Sequence, residues 1–206
     1  MLAALASSAI IDDIDAIRKA GLASLAFFYC DFREDKKRDL RGLLSSLLVQ
    51  LCHQSDFYCD MLSKFYSEHA KGSRHPSDDA LAVCLKNLLK LPGLAPVYVF
   101  VDALDECPKS GVAAPRDEVL NLIEELINLQ IPNLRICVTS RPEPDIKDVL
   151  NPLVFRSVSL HDENGQKKDI DDYIKSVINT NRKSKRWKVE DKQLVIGVLS
   201  EKADGM

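Results

Sequence analysis

The chain has 206 residues, of which 46% are hydrophobic and 29% charged, a composition typical of globular proteins and not of disordered or fibrous ones. Its 28 basic and 31 acidic residues give a formal net charge of −3, so no overall positive charge favours binding to nucleic acid or an anionic membrane. Since domains average about 150 residues, this length predicts one compact domain and excludes a many-domain protein.

The cysteines and the apolar segments indicate the compartment of the protein. The six cysteines form no Cys-x-x-Cys pair and have no regular spacing, which is typical of reduced thiols in a protein core. No uninterrupted apolar stretch approaches the roughly 20 residues that a membrane span requires. We therefore expect a cytoplasmic protein without a membrane span.

The first half of the chain combines one strand pattern with several helix patterns. Residues 2–19 carry apolar side chains near one face of a helix, whereas the continuous apolar run 25–30 predicts a strand buried on both faces. Leucines recur at helical spacing over 40–52, and two more helices are predicted at about 58–70 and 77–91. The hydroxyl at position 77 is the predicted N-cap of the last of these helices.

The second half of the chain predicts a βαβ unit. The apolar runs 97–101 and 134–139 are rich in β-branched residues and flank an amphipathic helix over 119–127. Since such a unit joins parallel strands through a right-handed crossover, we expect an α/β fold with a parallel sheet. A fourth strand, Val154–Leu160, is expected at a sheet edge because polar residues interrupt it. Further helices are predicted over 145–150, 168–179 and 190–202.

Polar side chains follow the first three predicted strands at the point where each strand ends. The carboxyl ends of parallel strands meet at one edge of a sheet, which is where α/β proteins bind their ligands. The polar residues at these ends are Asp31 after the first strand, Asp102, Asp105 and Glu106 after the second, and Ser140 and Arg141 after the third. The sequence therefore predicts a ligand site at this edge of the sheet.

The acidic residues after the second strand have the chemistry of a Mg²⁺ site, and Arg141 has that of a phosphate-binding residue. Mg²⁺ binds to proteins through one or two carboxylates together with water and phosphate oxygens, and the planar guanidinium of arginine pairs with phosphate. Two alternatives stay open from spacing alone. In the first alternative, the acidic residues after the second strand only cap the following turn. In the second, Arg141 forms a salt bridge with one of these acids instead of binding phosphate.

Two segments resemble motifs of a known family of nucleotide hydrolases. Residues 97–106, VYVFVDALDE, resemble the Walker B segment of NACHT-domain, STAND-class P-loop NTPases. Residues 134–142, LRICVTSRP, resemble the sensor 1 strand of the same family. The leucine-rich helix and the ending Ala203–Met206 are similar to those of fungal proteins of the nephrocystin-3-like N-terminal type. The resemblance extends over essentially the whole chain.

The resemblance implies roles for the acidic residues and for Arg141. Asp102 would bind the Mg²⁺ ion, and with it the nucleotide. Asp105 and Glu106 would polarise the attacking water as catalytic residues, and Arg141 would contact the terminal phosphate of ATP or GTP. The family further implies a three-layer P-loop NTPase-like fold, signal transduction, self-association, and partner domains such as ankyrin or WD40 repeats in a longer protein.

One element of this family is missing from the sequence. The family binds phosphates with a Gly-rich Walker A loop that ends in Gly-Lys-Ser or Gly-Lys-Thr, and none of the eight glycines here is followed by lysine. The helix over 2–19 resembles the one that follows this loop, so the loop and the strand before it are both expected to be absent. We therefore predict an incomplete P-loop core over residues 1–160 and a helical extension of the same domain over 161–206.

The missing loop also determines what activity we expect. Without it, this chain alone is predicted to bind neither Mg²⁺ nor nucleotide tightly and to be inactive as an enzyme. Such a chain is either a fragment of a longer NTPase or a degenerate copy that has lost catalysis.

Two other functions stay open at this point. A non-catalytic protein-interaction scaffold would use the same fold, with the acidic segment closing a turn. An unrelated Mg²⁺-dependent hydrolase would use the acidic cluster alone. The basic run at 182–188 includes a tryptophan, but the acidic residues around it favour a solvated loop over nucleic-acid binding.

Overall fold

The computed structural model describes residues 2–69, 74–93, 95–109, 114–159, 164–180, 184 and 187–203. Its helices and strands, in chain order, are α1 Leu2–Lys19, β1 Ser24–Tyr29, α2 Leu40–Cys52, α3 Asp56–Glu68, α4 Asp78–Leu89, β2 Val97–Asp102, α5 Pro115–Asn128, β3 Leu134–Val138, α6 Pro144–Leu150, α7 Asn164–Thr180 and α8 Val189–Ala203. Short 3-10 helices lie at Asp35–Lys37 and Leu104–Glu106. The chain divides into two compact units, Met1–Phe155 and Arg156–Met206.

The three strands form one parallel sheet in the order β1-β2-β3. Ser24 pairs with Val97 and Tyr29 pairs with Asp102 in the first ladder, and Val97 also pairs with Leu134 in the second. The strands therefore run in the same direction and end at the same edge of the sheet. The predicted α/β class and the parallel direction of the strands are confirmed.

The two faces of the sheet pack against different helices. Val99 and Val101 belong to the main core, which they share with α2, α4 and α5. On the opposite face, Leu25 and Phe100 pack against Ile11 of α1. The leucine stripe of α2 is buried in the main core through Leu43, Leu44, Leu47, Leu48 and Leu51. The sheet is thus the middle of three layers, which explains why its strands are continuous apolar runs in the sequence.

Polar side chains cap two helices, and the cap predicted for α4 is confirmed. The hydroxyl of Ser77 accepts a hydrogen bond from the amide of Ala80 at 3.2 Å. At the start of α2, Asp39 accepts a hydrogen bond from the amide of Gly42 at 2.8 Å. A Cβ atom at position 42 would collide with the carbonyl oxygen of Lys36, so this close approach requires glycine.

The predicted fourth strand, Val154–Leu160, is wrong. Residues 154–159 form no strand, and Leu160 lies outside the described residues. A strand needs a neighbour for its backbone groups, and among the described residues no strand pairs with the outer edge of β3. Without such a ladder the apolar side chains stay in solvent, and Phe155 is fully exposed.

The outer edge of β1 is closed by two glutamine side chains, that of Gln50 in the last turn of α2 and that of Gln54 just after this helix. Gln54 accepts a hydrogen bond from the amide of Leu25 at 2.8 Å and donates one to its carbonyl at 2.6 Å. One turn earlier, Gln50 makes the same pair of bonds with Phe27, at 3.0 and 2.7 Å. Each carboxamide therefore replaces a residue of a neighbouring strand and protects an edge that would otherwise pair with other chains.

The opposite edge of the sheet, formed by β3, is not closed in this way. The amide of Thr139 donates to the carbonyl of Val101 at 2.9 Å, which shows that odd-numbered residues of β3 face β2. In a parallel ladder the backbone groups of the alternate residues, Ile136 and Val138, then point to the other side. Within the described part of the chain, no strand lies there.

The unit Arg156–Met206 contains α7 and α8, which pack against each other. Ile178 of α7 is buried, and its carbonyl accepts a hydrogen bond from the hydroxyl of Ser184 at 2.5 Å. Most of the basic run and the last three residues of the chain lie outside the described residues. No helix in the described ranges is long and apolar enough to cross a membrane.

The glutamine contacts give a prediction about stability. Gln54→Ala is expected to lower the free energy of unfolding by about 1–3 kcal/mol, because the buried amide and carbonyl of Leu25 lose their partners. Urea denaturation measures the loss. The control is Gln193→Ala, which replaces an exposed glutamine of α8 and should change the stability by less than about 0.5 kcal/mol. Equal effects of the two substitutions would contradict the edge-closing role.

Candidate functional site

The ends of the three strands bring the predicted polar residues to one edge of the sheet. Asp102 is the last residue of the central strand, and Tyr29 of β1 is its partner in the ladder. Cys30 follows on that side, and its amide donates to the carbonyl of Asp102 at 3.0 Å. On the other side, Val138 ends β3 and Thr139 follows it. Asp102 is therefore the middle of the site.

The carboxylate of Asp102 is buried between α1 and β3, with 9% of the residue exposed. Its Oδ1 atom accepts hydrogen bonds from the hydroxyl of Ser7 at 2.5 Å and from the hydroxyl of Thr139 at 2.6 Å. A buried carboxylate needs such donors, because its transfer out of water is otherwise very costly. The two hydroxyls therefore stabilise both the charge of Asp102 and its orientation.

The backbone turns sharply directly after Asp102. Ala103 has a φ of 53° and a ψ of 48°, a left-handed conformation that is unfavourable for a residue with a Cβ atom. Its amide donates to Oγ1 of Thr139 at 3.0 Å, and the amide of Leu104 donates to the carbonyl of Thr139 at 2.9 Å. Thr139 thus holds the strained turn as well as the carboxylate.

Asp105 is engaged with Arg141. Its Oδ1 atom accepts a hydrogen bond from the backbone amide of Arg141 at 2.9 Å, and its Oδ2 atom lies 3.4 Å from Nε of the same arginine. The side chain of Asp105 is only 9% exposed, whereas that of Arg141 is 81% exposed. The salt bridge that the sequence left open as an alternative is therefore present, with a largely solvated guanidinium.

Glu106 and Asp31 lie on the β1 side of the site. Oε2 of Glu106 accepts a long hydrogen bond from the amide of Phe32 at 3.4 Å. Asp31 accepts bonds from the guanidinium and the backbone amide of Arg33, each at 2.9 Å. These bonds lower the pKa of Asp31 to about 2, so this carboxylate is ionised at neutral pH. The site is therefore acidic along its β1 side.

Arg116 supports the segment after β2 from within the protein, with its side chain only 5% exposed. It donates hydrogen bonds to the carbonyl of Cys107 at 2.9 Å and to the carbonyl of Asp105. Its guanidinium also forms ion pairs with Glu143 at 2.6 Å and Asp145 at 3.0 Å. A single buried side chain thereby connects the acidic turn to the start of α6.

The oxygen donors of the site fit a Mg²⁺ ion that is bound together with phosphate. The carboxylate of Asp102 and the hydroxyls of Ser7 and Thr139 are hard oxygen ligands, as Mg²⁺ requires. In the part of the chain that the structure describes, no group of three or more His, Cys, Asp or Glu side chains could hold a metal ion. At this site the described side chains alone would not form a metal cage, and phosphate oxygens would have to complete the coordination.

Thr139, Ser7 and Arg116 are site residues that the sequence analysis missed. Thr139 directly precedes Ser140 and Arg141 at a strand end, and this position could have predicted that it belongs to the site. Ser7 lies in a mainly apolar helix beside a second serine, and Arg116 lies in the first turn of an acidic helix. No local pattern shows that either of these two is buried.

Comparison with known proteins relates the chain to one family. Residues 4–141, about two thirds of the chain, match the nephrocystin 3 N-terminal family. The vegetative incompatibility protein HET-E-1 of Podospora anserina is 27% identical over 143 residues, which are 68% of this chain and 10% of that protein. The chain thus spans about a tenth of the length of this curated relative. No solved structure matches the chain significantly.

The bonds of Thr139 give a second prediction about stability. Thr139→Val keeps the shape of the side chain but removes the donor to Asp102 and the acceptor for the amide of Ala103. We expect the free energy of unfolding to fall by about 1–3 kcal/mol in urea denaturation. Thr139→Ser retains the hydroxyl and should retain most of the stability. If the valine variant is as stable as the serine variant, the hydroxyl does not have this role.

The ion pairs of Glu143 give a prediction about pH. Hydrogen bonds from Lys109 and then Arg116 lower the pKa of Glu143 below its ordinary value of 4.5. A carboxyl with a lowered folded-state pKa contributes stability above its unfolded pKa, and this contribution is lost as the pH falls through the folded pKa. Glu143→Gln should therefore be less stable than the wild type near neutral pH, and the difference should shrink below a pH of about 4.5.

Urea denaturation over a series of pH values measures this difference. Glu190→Gln replaces an exposed glutamate of α8 and is the matched control. A stability difference for Glu143→Gln that stays constant as the pH falls would show that the ion pairs do not carry the effect.

Proposed function

Because the chain belongs to the nephrocystin 3 N-terminal family, we propose that it is the nucleotide-sensing α/β part of a NACHT-type signalling protein. The observation that carries the proposal is the buried carboxylate of Asp102, which Ser7 and Thr139 hold at the end of the central strand. Ligands of α/β proteins bind at this edge of the sheet. In P-loop NTPases, an aspartate at the end of a strand binds the Mg²⁺ ion of the nucleotide.

Asp102 and Arg141 are the proposed ligand-binding residues. Asp102 would bind the cation through Oδ2, because Oδ1 already accepts two hydrogen bonds. When bound, a Mg²⁺ ion would supply counter-charge to the phosphates of ATP or GTP. The guanidinium of Arg141 is 81% exposed, so it can turn from Asp105 to a terminal phosphate while the backbone amide of Arg141 stays bonded to Asp105.

The two other acids have separate roles in this proposal. Oδ1 of Asp105 accepts the hydrogen bond from the backbone amide of Arg141, so Asp105 positions the segment that carries this arginine. Among the described residues, Glu106 makes a single long hydrogen bond, to a backbone amide, so it is the carboxylate that we assign to accept a proton from an attacking water. Arg116 positions both acids through the carbonyls on either side of Glu106.

We propose further that this chain alone binds nucleotide weakly and is inactive by itself. None of its glycines is followed by lysine, so the sequence contains no Gly-Lys phosphate loop. Carboxylates repel phosphate unless a cation neutralises them, and the exposed guanidinium groups of Arg33 and Arg141 are already paired with Asp31 and Asp105. The unpaired outer edge of β3 supports this proposal, since a further strand that carries a phosphate loop would have a place to pair.

A protein-interaction scaffold without catalysis is the second candidate function. The bond from the Arg141 amide to Asp105 favours it, because this use of an acidic side chain needs no nucleotide. In this case the proposed partners are copies of the same chain and the ankyrin or WD40 repeats of a longer cytoplasmic protein.

Isothermal calorimetry with Mg·ATP and Mg·GTP tests the proposal. The chain as it stands is expected to bind neither with a Kd below about 1 mM. A form extended at its N-terminus by a strand and a Gly-Lys-Ser or Gly-Lys-Thr loop should bind in the micromolar range. In this extended form, Asp102→Asn keeps the hydrogen bonds to Ser7 and Thr139 and should weaken binding at least tenfold.

Each outcome of the calorimetry assigns a function. Tight binding by the unextended chain would contradict the need for a phosphate loop. Binding by neither form would leave the interaction scaffold as the function. Binding that is unchanged by Asp102→Asn would remove Asp102 from the site, and Asp172→Asn, at an exposed position of α7, is the control for loss of one carboxylate charge.

A further inference from the structure

Two cysteine thiols are in contact directly beneath the candidate site. Cys30 follows β1, and Cys107 follows the 3-10 helix that carries the acidic residues. Their Sγ atoms are 3.5 Å apart, and the two residues are 5% and 0% exposed. A disulfide bond is about 2.05 Å long, so the two sulfurs would have to approach by about 1.5 Å.

The surroundings make the two thiols chemically different. The hydrogen bond shared with Cys30 lowers the pKa of Cys107, and the nearby charge of Arg116 lowers it further against the opposing effect of burial. The pKa of Cys30 is raised, first by the shared hydrogen bond and then by burial. Cys107 is therefore the better suited of the two to attack, and Cys30 lies in contact with it. An attacking and a resolving cysteine differ in this way.

We propose that Cys30 and Cys107 are a redox modification site, a thiol pair that hydrogen peroxide converts into a reversible disulfide. The sulfur of Cys107 attacks one oxygen of the peroxide, and the O–O bond breaks. Cys107 becomes a sulfenic acid, and the other oxygen departs as water. The sulfur of Cys30 then attacks this sulfur, the S–O bond breaks, and a second water leaves. Two thiols and one peroxide thus become one disulfide and two waters.

The disulfide would join two segments of the candidate site. Cys30 directly precedes Asp31, and Cys107 directly follows Glu106. A covalent bond between them closes a loop across 77 residue positions and holds the end of β1 against the turn after β2. Peroxide is close to water in size, so it would reach the buried thiols during brief local opening of the chain around them. This inference goes beyond the proposed nucleotide function and does not depend on it.

Mass spectrometry of the whole chain tests the proposal. The chain is treated with hydrogen peroxide or with dithiothreitol, alkylated under denaturing conditions, and digested without reduction. Peroxide should lower the number of alkylated cysteines by two from six and produce a linked peptide pair that contains Cys30 and Cys107. Alkylation of both cysteines after peroxide treatment, or a link from either one to a different cysteine, would overturn the proposal.

A variant controls for another cysteine pair, and a second measurement tests reversibility. Cys52 and the exposed Cys59 also lie close together, and Cys59→Ser should leave the Cys30–Cys107 link unchanged. The oxidised wild type should melt about 5 °C or more above the reduced form, and dithiothreitol should reverse this shift. The shift should be absent in Cys30→Ala, and a shift of the same size in that variant would contradict the assignment. The disulfide itself is detected in the wild-type chain and without nucleotide. This detection therefore depends neither on the stability of the variant nor on nucleotide binding.

Discussion

Burial of the Asp102 carboxylate is the constraint on which this end of the sheet depends. A charge that is 9% exposed needs hydrogen-bond donors, and hydroxyls from α1 and from the end of β3 supply them. The donors are 95 and 37 positions away in the sequence, so the bonds form only when α1, β2 and β3 are assembled. The contacts that stabilise the layers are thus the same contacts that orient the carboxylate.

The turn beside this carboxylate combines strain with support. Ala103 adopts an unfavourable left-handed conformation. Its amide donates a hydrogen bond to Thr139, and Arg116 donates one to the carbonyl of Asp105, so the backbone around Ala103 is held in place. The acidic residues therefore project from a fixed backbone. Arg141, which faces them from the end of β3, is largely solvated and free to change partner. The site thus combines acidic residues on a hydrogen-bonded turn with an arginine whose side chain is exposed to solvent.

The two edges of the sheet differ in how their backbone groups are satisfied. Gln50 and Gln54 provide β1 with the bonds of a neighbouring strand, whereas in the described residues no group provides them for β3. A closed edge resists association, and an open edge favours the addition of a strand. This asymmetry indicates that any extension of the sheet takes place beside β3, next to Thr139 and Arg141.

The sequence by itself determined the helices and the three strands, because the residue pattern that predicts each element lies within the element itself. The leucine stripe of α2 and the apolar run of β2 are of this local kind, as is the strand-end position of Asp102. Only the tertiary structure decided that Ser7 and Arg116 are buried and that Asp105 binds Arg141. It also showed that residues 154–159 form no strand. Such outcomes depend on neighbours dozens of residues away, and periodicity within a segment carries no information about them.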